Sequence, residues 1–117
     1  MRKITLVLAL VLGSLSYQAY ADTAILSWDA PHPLTEEVHI HRTEAQADGT
    51  CPTAPQGYQE VTRVVVPQQS FTDTGLEIGK KYCWYASSWA QNVPESGPSE
   101  VASKIIPLPA PASFQAQ

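Results

Sequence analysis

Residues 72–85 read TDTGLEIGKKYCWY, and the fold turns on how this stretch is read. Asp73-Thr74-Gly75 is turn chemistry, because Asp bonds its own backbone and Gly accepts positive φ at no steric cost. From Lys81 onward the run becomes strand-like and extends to Trp89. Strand alternation puts Tyr82, Trp84 and Ala86 on one face, and Cys83, Tyr85 and Ser87 on the other. Cys83 therefore belongs either to the frame of a β-domain or to a working site. Its outward position lets it reach a loop, which favours the frame.

The bulk properties narrow the choice. The chain has 117 residues and opens MRKITLVLALVLGSLSYQAYA. Arg2 and Lys3 precede an apolar stretch, and Ala19-Tyr20-Ala21 offers small residues at the two positions a signal peptidase reads. The apolar run is short for a membrane span. Residues 1–21 are thus expected to be a signal peptide, with export to the periplasm or beyond the cell and no membrane attachment after cleavage. The whole chain carries a net charge of −4, and loss of Arg2 and Lys3 takes it to −6. That balance argues against nucleic acid as a partner.

Two cysteines, Cys51 and Cys83, remain in the exported part. An even count in an oxidising compartment predicts one disulfide between them. Closing a loop of about 33 residues stabilises by roughly 3–4 kcal/mol through chain entropy. For a small domain that is a sizeable share of the whole.

The rest of the chain is punctuated by Pro and Gly and lacks helical spacing of apolar residues. Residues 23–28 read as a first strand, with Ala24, Leu26 and Trp28 on one face. Residues 37–42 alternate, Val38 and Ile40 inward and His39 and His41 outward. Residues 44–57, EAQADGTCPTAPQG, form a long loop that the disulfide would pin. Strands follow at 58–66, 69–72, 81–89 and 99–106, and the proline-broken residues 107–117 read as a disordered tail. Short strands at this spacing, with no helix, mean a β-sandwich or barrel.

The order of these signals resembles the fibronectin type III family. The resemblance rests on Leu26-Ser27-Trp28, Val38-x-Ile40 with Arg42, Tyr58-x-x-Val61, Phe71-Thr72-Asp73-Thr74-Gly75-Leu76, Gly79-x-x-Tyr82 and Glu95-Ser96-Gly97-Pro98-Ser99. It implies an all-β, immunoglobulin-like antiparallel sandwich of six to seven strands over residues 22–106. Within it, Trp28 would be the core tryptophan of strand B. Leu76 and Tyr82 would form a tyrosine corner, the hydroxyl bonding back to the chain. Trp84 would join that core. The family's strand A has little chain left to form it, so strand B is expected to be an edge. Such an edge invites self-association or strand addition by a partner.

Three functional readings follow. The first is a non-catalytic binding module without a cofactor, its ligand a protein or surface glycan. Its contact face would be the outer side of strands C and F, with the pinned loop 44–57 and the loop 90–98, and with His39, His41, Tyr85 and Trp89 as anchors. The second is a small metal-binding protein using His39 and His41, which share a face and want a third or fourth ligand such as His32 or Glu44. Two solvated imidazoles on a sheet face are the simpler account of that pair. The third is a minor structural subunit of a surface assembly, joined through strand B. No nucleophile elbow or other catalytic signature is present, so an enzyme is not expected.

Overall fold

Runs of β-branched and aromatic residues between Pro- and Gly-rich breaks form the strands of this chain. The computed structural model describes residues 22–117, so the expected signal peptide lies outside the described residues. Among them are six strands: β1 (Ala24–Ser27), β2 (Glu37–Glu44), β3 (Gln59–Val65), β4 (Ser70–Asp73), β5 (Lys81–Trp89) and β6 (Ala102–Ile105). No helix occurs among the described residues. All pairings are antiparallel, β1 with β4 in one sheet and β3-β2-β5-β6 in the other.

The two sheets bury a common core. Ala24, Val38, Ile40, Val64, Leu76, Tyr82, Trp84 and Ile106 form it, with Leu26, Trp28, Val61, Phe71 and Ala86 packed against it. Each large apolar side chain so buried stabilises by about 1.5–3 kcal/mol. Tyr82 keeps its hydroxyl satisfied, as the Glu77 N–H donates to it at 2.9 Å. That bond ties the chain before β5 to the strand itself. A second tie joins the sheets: the Arg42 guanidinium on β2 reaches both oxygens of Asp73 on β4 at 2.9 Å. The Trp84 indole N–H on β5 donates to the same carboxylate at 2.8 Å.

The last strand is shorter than residues 99–106. Pro98 cannot donate to a ladder, and upstream of β6 serine hydroxyls stand in for backbone acceptors. Ser88 N–H donates to Ser96 Oγ, and Ala86 N–H to Ser99 Oγ, both at 2.8 Å. The chain follows β5 there without forming a regular ladder. A β-bulge at Ile40/His41 shifts the register between β2 and β3, setting Ile40 opposite Thr62 and His41 opposite Glu60. Among the described residues β1 pairs with β4 alone, and no strand precedes it. Residues 107–117 add no strand.

Candidate contact face

The pinned loop is built outward from Cys83. Cys51 and Cys83 form a disulfide with Cα atoms 5.9 Å apart, and Cys83 is completely buried. Further bonds hold the loop. The Tyr58 hydroxyl donates to the Pro52 carbonyl at 2.7 Å. Lys81 Nζ donates to the Gly49 carbonyl at 2.8 Å. Gly49 takes φ +88°, which closes the tight turn after Asp48.

Beside the loop, β2 and β5 pair so that His41 faces Tyr85 and His39 faces Ser87. The His41 and Tyr85 rings stack with centroids 4.3 Å apart and planes 3° apart. Tyr58 meets Tyr85 edge-on at 5.1 Å. His39 lies at 5.8 Å from Trp89, nearly parallel to it.

His39 is not the solvated imidazole that alternation suggests. Only 2% of it is exposed, because carboxylates from three segments close over the ring. One nitrogen is 2.9 Å from Glu37 Oε1, and the other is 3.2 Å from Glu95 Oε2 and 3.7 Å from Glu60 Oε1. The Ser87 hydroxyl donates to the same Glu95 oxygen, so the His41 Nε2–H, 3.3 Å away, is the donor to Ser87 Oγ. Burial lowers the pKa of His41 below its ordinary value, against a smaller upward pull from Glu60 and Glu95. Burial pushes the Tyr85 phenol up, and Glu95 adds to it. The hydrogen bond from Arg63 holds the Glu60 carboxyl below its ordinary value.

Of the four residues expected as anchors, the structure gathers all on one sheet face but exposes them unequally. His39 and Tyr85 are buried and serve as underlay, whereas His41 and Trp89 are half-buried and reach solvent. Tyr58, Glu37, Glu60, Ser87 and Glu95 complete the face; strand alternation puts Ser87 there and the loop 90–98 carries Glu95, whereas Tyr58, Glu37 and Glu60 were not singled out for it. Glu37 stands two residues from His39 on one strand, a spacing that signals a shared face. Glu60 and Arg63 pair at 2.9 Å although three apart, an arrangement that the bulge permits and regular alternation forbids. Glu95 comes from the loop 90–98, 56 residues away from His39, and nothing local showed that its carboxylate would reach that ring.

Among the described residues no group of three or more His, Cys, Asp or Glu is placed to hold a metal ion. His32 accepts from the Leu34 N–H, and Glu44 pairs with Lys80, so neither turns to the histidine pair.

No family model matches the chain, and no curated protein matches it. Solved structures do resemble it. The twitchin kinase region from C. elegans, which includes a segment designated Fn31, matches with a TM-score of 0.58 and 23% identity over 78% of this chain. This chain spans only 15% of that one. The third fibronectin III domain of human KIAA0343 protein matches with a TM-score of 0.58 and 16% identity, over 81% of this chain and 78% of its own. A structure described as a myokine matches with a TM-score of 0.56 and 17% identity, over 75% of this chain and 85% of its own. Fibronectin type III-like is thus the fold of this chain.

Proposed function

We propose that this chain is an exported binding module that recognises a protein or surface glycan through the outer face of β2 and β5. One observation carries the reading: half-exposed His41 and Trp89 are set on a buried aromatic and imidazole underlay and ringed by Glu37, Glu60 and Glu95. Preorganised rings lose little freedom on binding, and the carboxylates bond to a partner's donors, whether sugar hydroxyls or basic side chains. The disulfide favours an oxidising location and supports export. The module works without catalysis, cofactor or metal. In the trio of Ser87, His41 and Glu95, the serine hydrogen goes to Glu95 and His41 donates, the reverse of an activated nucleophile. The acidic balance disfavours nucleic acid and anionic membranes.

The test is capture from the native envelope by the wild-type chain and by a His41→Ala/Trp89→Ala variant. A ligand retained by the first and lost by the second, at similar thermal stability, supports the reading. Equal retention contradicts it.

A further inference from the structure

An apolar groove runs along β1, opening between the two sheets. Its volume is about 340 Å3. Ile25, Leu26 and Trp28 form one wall, Ser99, Glu100 and Ala102 the other, with Ile40, Trp84 and Ala86 beneath. Among the described residues β1 has no strand on this side. Ile25 is 77% exposed, and the buried Trp28 indole N–H has no acceptor. A strand laid in the groove would cover the first and offer backbone carbonyls to the second.

Residues 107–117 have the complementary features. Leu108 and Phe114 are 81% and 89% exposed, and the segment has no charged side chain. In sequence its last six residues, ASFQAQ, alternate: Ala112, Phe114 and Ala116 against Ser113, Gln115 and Gln117. That is the pattern of a half-buried strand. In the free chain Ala112 and Ser113 form a turn with Ser113 at φ +57°, which pairing in the groove would have to straighten.

Geometry decides whose groove it fills. The tail leaves the domain at Ile106, which is bonded to Gly79 and Lys80. β1 begins at the same pole, where the Leu76 N–H donates to the Asp22 carbonyl. To run antiparallel to its own β1 the tail would first have to travel the length of the molecule and reverse. Pro107, Pro109 and Pro111 hold it extended instead. A tail from another copy, arriving at the Trp28 end, runs antiparallel to β1 without any reversal.

We propose that the tail of one copy docks as an added strand in the β1 groove of the next, giving a head-to-tail, open-ended assembly. The groove shares Tyr85 with the contact face of β2 and β5, but the proposal stands without that face.

The experiment follows the mass of the full chain by light scattering across concentrations, with two variants. Phe114→Asp spoils the tail and Ala102→Asp spoils the groove; both residues are exposed. Wild type is expected to form species growing with concentration. Each variant alone should associate about ten- to a hundredfold more weakly, Phe114→Asp by losing a buried aromatic contact and Ala102→Asp by setting a carboxylate in the apolar groove. A mixture of the two variants should restore a dimer that cannot extend, because one supplies an intact tail and the other an intact groove. A wild type that stays monomeric, single variants that associate like wild type, or a mixture that stays monomeric would each overturn the proposal.

Discussion

Asp73 is the residue on which the two sheets most depend. Its carboxylate takes both Arg42 bonds and the Trp84 indole N–H, and the side chain is only 7% exposed. Asp73→Ala would strand the indole donor and leave Arg42 unmatched. Urea unfolding should show a loss of about 2–4 kcal/mol, discounted from the fully buried range because Arg42 is partly in water. His41 sets a pH dependence. Burial lowers its folded-state pKa, so below about pH 6.5 the unfolded chain takes up the proton first. The stability this group contributes is present above that pH and falls as pH drops toward the lowered folded value. Unfolding midpoints measured between pH 7.5 and 5.5, a window of about two units around the free imidazole value, should decline in wild type. The decline should be shallower in His41→Phe, which keeps a ring against Tyr85.

At the scale of elements, the loop of residues 45–58 is held to β5 by the Cys51–Cys83 bond and by Lys81 and Tyr58. Cys51→Ser/Cys83→Ser should lose about 3–4 kcal/mol, read as a lower thermal midpoint, and proteolysis should begin within the loop. The strands themselves were legible wherever burial on one face imposed alternation. β5 runs from Lys81 to Trp89 as its aromatics indicate, and Val38 and Ile40 point inward as expected. What alternation could not convey was cover. It places His39 outward correctly, yet Glu37, Glu60 and Glu95 bury it. Two of those carboxylates arrive through a bulge and a distant loop, and their approach to His39 has no local pattern. The serines at 96 and 99 shortened β6 for a similar reason, since a hydroxyl accepting a ladder N–H looks in sequence like any surface serine.

At the scale of the molecule, the sandwich presents two surfaces of different kinds. The β2–β5 face is polar, rigid and ringed by carboxylates, whereas the β1 groove is apolar and shaped for a strand. Order of signals sufficed to anticipate the sandwich, because its turns and corner residues are local. The groove was foreseen only as an edge, since its second wall comes from residues 99–102, far along the chain. Binding at the β2–β5 face is the central claim. The most direct measurement places a photo-crosslinking side chain at position 41, or at exposed position 72 on the outer side of β4, and exposes each protein to the native envelope. A discrete adduct with a foreign protein or glycan is expected from position 41, and none other than with copies of this chain from position 72, which pairs with Ile25. Foreign adducts from position 72 alone, or equally from both, would contradict the claim.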